Sequence, residues 1–408
     1  MGNKGNEKRM KKIIMDVVIM CLALAGTAHP FAAGDIGIHG FASTGYMKSN
    51  HNNYLIPTEE GSFEFNEAGI NFTASVTNNI RVGMQLYSFD LGDVGNNDMK
   101  LDWAFLDYQW KEELGIRPGK FKTPFGLYNE LQDYDMLRTS VLLPQSVYNR
   151  FLRETMVVQG LGLYGNVSAG AAGTLAYDAY FGTEDIDTEG GLGKFASAQG
   201  ILKNCTIGHI FGGRIKWKTP LDGLLLSSSF LEFEIVYDME ARTEPVVKME
   251  VSVPEWQLFI FSAKYGMGDM TIVGEYSRQS GDVTITQNLS NLGLPNPPPM
   301  EAGIYNEGYY GMISYRFTDW FEAGTYYSVY YPDPDDRDGE NQAAMGKPDY
   351  TAWQKDWTLS TRFDITDFWL VKLEVHFIDG VALCADADNP DGYEKDWTLF
   401  AVKTTFNF

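Results

Sequence analysis

Histidine and cysteine are scarce in these 408 residues, with five of one and three of the other. His29, His39, His51, His209 and His376 include no His-x-x-x-His pair of the kind that holds a metal on a helix. The chain has no Gly-x-Ser-x-Gly elbow and no Cys-x-x-Cys-His haem attachment. No enzymatic activity, metal or cofactor is therefore expected. Long apolar runs are missing too: beyond the first thirty residues none reaches the length of a membrane helix, about eighteen residues. Positive charge is in deficit, 32 Lys and Arg against 54 Asp and Glu, for a net −22. Nucleic acid is excluded as a partner, because its phosphates would be repelled.

The first residues hold a basic patch (Lys8, Arg9, Lys11, Lys12), a short apolar run from Ile13 to Ala25 interrupted by Asp16, and the small residues Gly26, Thr27 and Ala28. That order predicts a secretory signal peptide over 1–28, with cleavage possible as far as 33, and one continuous domain over 34–408. Cys21 leaves with the signal. Cys205 and Cys384 remain in an oxidising compartment, where a disulfide between two external loops and two idle thiols are both open.

Aromatics make up 14% of the chain and Gly contributes 42 residues, yet mean hydropathy is −0.23. Many short alternating strands fit this profile. Ile80, Val82, Met84 and Leu86 share one face, opposite Arg81 and Gln85. Trp369, Val371, Leu373, Val375 and Phe377 oppose Lys372, Glu374 and His376. Trp357, Leu359, Thr361 and Phe363 oppose Ser360 and Arg362, and Ile215 and Trp217 oppose Arg214, Lys216 and Lys218. Arg or Lys facing lipid at the midplane costs roughly 2–4 kcal/mol, so the charged faces must meet water inside a closed wall. That reading makes Arg81, Arg214, Lys216, Arg362 and Lys372 residues of a lumen wall. A barrel phospholipase would need a Ser–His pair facing lipid, and the lumenal parity of His376 counts against one.

Strands are expected near 35–47, 62–75, 80–90, 99–110, 114–121, 156–165, 173–183, 207–218, 224–238, 255–265, 270–279, 308–317, 320–330, 351–363, 369–378 and 395–408. Their connections alternate between short and mostly much longer, the pattern of periplasmic turns and external loops. Trp110, Tyr164, Trp217, Tyr265, Trp320 and Trp369 lie near the short turns and would form an aromatic girdle. The expected fold is an all-β transmembrane antiparallel barrel of about 16 strands in a Gram-negative outer membrane, wide enough for an aqueous channel. Such a barrel lies against membrane lipid and lipopolysaccharide. The terminal Phe406-Asn407-Phe408 resembles the signal read by barrel-assembly machinery, which makes Phe408 its point of recognition.

One segment reverses the local charge. Between 117 and 154, Arg117, Lys120, Lys122, Arg138, Arg150 and Arg153 face only Glu130, Asp133, Asp135 and Glu154, leaving +2. The run Gly115-Ile116-Arg117-Pro118-Gly119-Lys120-Phe121-Lys122-Thr123-Pro124-Phe125-Gly126-Leu127, followed by Glu130, Arg138, Pro144 and Arg150, resembles the phosphate-selective porin O and P family. The resemblance implies a homotrimeric sixteen-stranded anion channel with basic residues around a constriction. Here the constriction would be the inward-folded loop 122–155 together with the six basic residues of 117–154. Cations in a narrow wet pore raise the local anion concentration. The same cations could instead pair with Glu130, Asp133 and Asp135 and pin the loop to the wall. Lys120 and Lys122 share one strand face and Arg117 takes the other, so a bulge or the bend into the loop must intervene for all three to line the lumen, and Pro118-Gly119 could supply one.

Glu232, Glu234, Glu275, Glu322 and Glu374 have lumenal parity in the same reading, which would weaken anion preference. The loops Asp333–Glu340 and Asp386–Gly392 are rich in oxygen ligands, but Pro334 and Ala387 break the spacing of a calcium loop. They read as solvated acidic loops, bridged to lipopolysaccharide by divalent ions. The expected function is passive diffusion of small hydrophilic solutes, with phosphate-like anion preference as the family implies. The alternative is a structural sheath around a partner such as a multihaem cytochrome.

Overall fold

The computed structural model describes residues 36–92, 94–149, 157–184, 200–242 and 245–408. The expected signal segment, and Arg150 and Arg153 of the basic segment, lie outside them. Alternation becomes sixteen strands: β1 (Ile36–Ser49), β2 (Phe65–Ser75), β3 (Ile80–Leu91), β4 (Lys100–Lys111), β5 (Leu114–Lys122), β6 (Val157–Ser168), β7 (Thr174–Thr183) and β8 (Ile201–Lys218). The second half is β9 (Leu224–Glu240), β10 (Lys248–Met267), β11 (Met270–Asn288), β12 (Met300–Thr318), β13 (Phe321–Tyr331), β14 (Gln354–Thr366), β15 (Trp369–Gly380) and β16 (Asp396–Asn407). Each pairs antiparallel with its sequence neighbours, and β1 pairs with β16, so the sheet closes. Two backbone bonds of 3.0 Å between Gly40 and Phe408 extend the seam. Closure leaves no strand edge to be desolvated by lipid.

Every short connection lies at one end of the barrel. Four are two residues long, among them 268–269 between β10 and β11, where Gly268 takes φ +58, a conformation that costs glycine little. The alternating faces separate as expected on β15: Leu373 and Phe377 are 39% and 44% exposed, while Lys372, Glu374 and His376 between them are at most 1% exposed. Leu163, Ile215, Phe261, Ile313, Leu359 and Phe400 continue the exposed apolar belt around the wall. Such a belt is stable only against hydrocarbon. Trp110, Trp217 and Trp320 are exposed near the turn end, and Trp369 stacks on Phe406 at 5.3 Å. Tyr164 does not join that girdle: it lies on the inner face, with the Arg117 guanidinium 4.9 Å from its ring centre.

Four strands run well past their expected outer ends. β8 begins at Ile201, β10 at Lys248 and β12 at Met300, and β11 ends at Asn288. Register shifts break the alternation in β8 between Ile207 and Ile210, and in β10 beside Pro254 and Glu255. A bulge shifts the side-chain period and gives Pro254 a place where its missing N–H costs no ladder bond. Cys205 accordingly lies buried in β8 rather than in an external loop, and Cys384 follows β15; the two are not joined by a disulfide.

Glu232 and Glu234 need a correction. Ser227, Ser229, Leu231, Phe233 and Ile235 are the buried inner residues of β9, so the two glutamates point outward beside His209 and Gln257. The expectation failed because it equated apolar with lipid-facing. Here the inner wall is apolar where a loop packs on it. The acidic loop after β13 uses Asp336 internally: its carboxylate accepts the Asn341 and Gln342 amides at the start of α1 (Glu340–Ala344).

Candidate pore constriction

The loop after β5 turns into the bore because its sequence offers something to each part of the wall it meets. Phe125, Tyr128, Leu143 and Val147 bury their side chains in a cluster with Phe121, Ile210, Leu231, Phe233 and Leu258. Burying side chains of this size contributes roughly 1.5–3 kcal/mol each. Val141 and Leu142 join a second cluster with Leu55, Phe65, Tyr330 and Leu399. Two short 3-10 turns, Asn129–Leu131 and Asp135–Leu137, carry the polar residues between these apolar anchors. Gly308 of β12 admits the loop backbone: a Cβ there would sit 1.9 Å from the Ser146 carbonyl oxygen.

Polar anchors run around the wall. On β8, Arg214 donates to the Gly126 carbonyl at 3.1 Å and meets Glu130 at 2.6 Å and Asp178 at 3.0 Å. On β9, the Ser229 hydroxyl accepts the Gly126 amide at 3.0 Å. Glu275 of β11 accepts the Leu127 amide at 3.0 Å and the Tyr148 hydroxyl at 2.5 Å, holding both arms of the loop. Ser262 and Tyr310 donate to it as well, each at 2.6 Å. Burial, and then Glu275 itself, push the Tyr148 hydroxyl up, so it remains a donor. On β15, Glu374 accepts the Val141 and Leu142 amides at 2.8 and 2.9 Å. Thr139 donates to Glu322 of β13.

Asp135 is the most heavily contacted of these anchors. Its carboxylate meets Arg138 at 2.7 Å and Lys403 of β16 at 2.7 Å, and accepts from Thr405 at 2.9 Å and Ser43 at 3.3 Å. Lys372 donates to the Asp135 and Ser140 carbonyls at 2.6 and 3.0 Å. Burial alone would raise the Asp135 carboxyl. Lys403, Lys372 and Arg138 outweigh it and hold the group well below the usual carboxylate range.

Most of the described basic residues singled out in sequence are thus brought beside acids. Arg117 meets Asp107 at 3.4 Å and stacks on Phe105, and Arg81 meets the same Asp107 at 2.9 Å. Lys122 bonds Asp133 and lies 3.3 Å from Asp102. Lys120 meets Glu184 at 3.0 Å. It has the parity of exposed Leu161 and Leu163 across the β5–β6 ladder, which runs from Gly115 to Lys122 without a register shift. Of the two routes open, a bulge at Pro118-Gly119 is absent from that ladder and the bend into the loop is the one used: Lys122 enters the lumen as the last residue of its strand. Arg362 pairs with Asp364 at 2.8 Å. Sequence reasoning missed Lys403, Glu67 and Lys264. On β16 the lumenal parity of Lys403 was readable, but no charge cluster drew notice to it; on β10 the residues from Trp256 to Tyr265 do not sort by parity, because buried Leu258 and Ile260 share the face of Lys264. Among the described residues, Lys216, Lys218 and Lys264 enter no ion pair. They line the turn end of the lumen, with Lys218 and Lys264 flanking Leu225 across three adjacent strands.

No family model matches the chain. A curated relative, an uncharacterized protein of Aquifex aeolicus (strain VF5), is 23% identical over 263 residues, 62% of this chain. The chain spans 56% of that relative's length. OmpT lacking loop L8, an outer membrane protein of Vibrio cholerae, superposes with a TM-score of 0.55 at 12% identity, over 91% of this chain and 99% of that one. The anion-selective porin of Comamonas acidovorans gives 0.53 at 11% identity, over 91% and 99%. The outer membrane channel DcaP of Acinetobacter baumannii gives 0.54 at 10%, over 94% and 100%. The fold is that of a multi-pass β-barrel of the Gram-negative outer membrane.

Proposed function

We propose that the chain is an outer-membrane porin through which small hydrophilic solutes diffuse passively. The observation that carries this reading is a closed sixteen-stranded wall, apolar outside, whose bore receives an inward loop set among ionic side chains. Arg117, Lys122 and Arg138 act there as halves of ion pairs, and Arg150 and Arg153 extend the same segment. Pairing cancels much of their field on a passing ion. The unpaired Lys216, Lys218 and Lys264 supply what anion preference there is, with phosphate-like solutes the finer reading that the resemblance suggests. The chain's own loop fills the space a cytochrome would need, which favours a channel over a sheath. A homotrimer fits the small outward side chains Ala42, Thr44 and Ala68 near the seam, and the exposed Phe408 ring fits recognition by assembly machinery.

Planar-bilayer recording tests the reading. Purified protein should pass discrete currents, and changing Lys216, Lys218 and Lys264 together to Gln should move the reversal potential toward cations. An unmoved potential would remove these lysines from the conducting path.

A further inference from the structure

Away from the turn end, inner-face side chains that an open channel would wet are dry on strands spread around the wall. Ser43 of β1, Gln85 of β3, Arg214 of β8, Glu275 of β11, Thr358 of β14 and Lys372 of β15 are each no more than 7% exposed. The loop also reaches opposite walls. Gly126 and Glu130 are held by Arg214 on β8, and Asp135 is held by Lys403 and Thr405 on β16, halfway round a sixteen-stranded sheet. Between 130 and 135 the chain therefore crosses the bore.

Beside the crossing lies a cavity of about 60 Å³ edged by Glu67, Gln132, Arg138, Leu142, Tyr148 and Lys403. A water needs roughly 10–15 Å³ of such space, so the cavity admits a few waters.

We propose that the loop 123–149 is a plug that shuts the resting channel, latched by Asp135 against Lys403, Lys372 and Arg138, and that passage requires its release from β15, β16 and β1. This rests on the channel reading above and adds regulation to it. The latch suits such a role because its partners are unequally placed. Arg138 belongs to the loop and travels with Asp135, whereas Lys403 and Lys372 stay with the wall. Lys403 keeps Glu67 as a partner when the loop leaves. Release thus strands one lysine, Lys372, rather than the whole set.

The test uses the full chain in planar bilayers in three forms: wild type, Asp135→Asn, and a variant with 127–147 replaced by a short Gly-Ser linker. Folding is checked by heat-modifiable gel mobility. Wild type should be shut most of the time, D135N should raise the open fraction at least tenfold, and the loop deletion should give a steady current several-fold larger. If D135N does not fold, Arg138→Gln removes one cation from the same node and should raise the open fraction at least threefold. Wild type and the latch variant both open steadily at equal conductance would overturn the plug and leave the channel standing. A folded loop deletion that passes no current would instead overturn the channel reading itself.

Discussion

Glu275 receives four neutral donors and no cation, so its role is to collect hydrogen bonds rather than charge. Glu275→Gln turns one oxygen into an amide that faces donors. Leaving such buried groups mismatched costs about 1–3 kcal/mol. Hydrogen exchange at the Leu127 amide should quicken roughly tenfold or more, while exchange in β11 stays as it was; unchanged protection at Leu127 would remove Glu275 as a clamp. Asp135 predicts a pH dependence. Its carboxyl is depressed in the folded state, so the stability it contributes is fully present above the ordinary carboxylate pKa of about 3.9. That contribution fades only as pH falls through the lower folded value. The stability difference between wild type and D135N should hold level from pH 8 to pH 5, and a difference that shrinks already between pH 7 and 5 would contradict the three-cation node.

β15 shows how much of an element its own residues disclose. Its two faces, from Trp369 to Phe377 and from Lys372 to His376, could be assigned from alternation alone, because lipid admits no charge on one side. Leu373→Arg should therefore cost roughly 2–4 kcal/mol of folding stability in bilayers; a loss under 1 kcal/mol would mean that this face meets water. β9 was assigned the wrong way round at Glu232 and Glu234 for a reason its own residues do not contain: the loop that makes Leu231 and Phe233 inner residues is a hundred positions earlier in the chain. The outer ends of β8 and β10 were hidden because bulges break the alternation there. β12 makes a further prediction. Gly308→Val would drive Cβ into the Ser146 carbonyl, and overpacking of that kind costs typically 1–3 kcal/mol. Protease sensitivity of the loop should rise with the barrel intact; a loop still resistant would show that it passes Gly308 at a distance.

For the whole molecule, strand number, the short and long ends and closure followed from local pattern, since each strand must satisfy the same two solvents. The partners of the loop did not, because Asp135 meets residues some 270 positions away, as with Thr405. The basic segment stood out by its charge, yet charge alone could not say whether it faced solute or acids. What unites these scales is a wall with hydrocarbon on one side and a loop-filled aqueous bore on the other. Single cysteines placed in turn from 369 to 378, with Cys205 and Cys384 replaced by Ser, can be labelled with a fluorophore in bilayers containing nitroxide lipids. Quenching should alternate with period two, strong at 369, 371, 373, 375 and 377 and weak between them; uniform quenching along the strand would contradict the account.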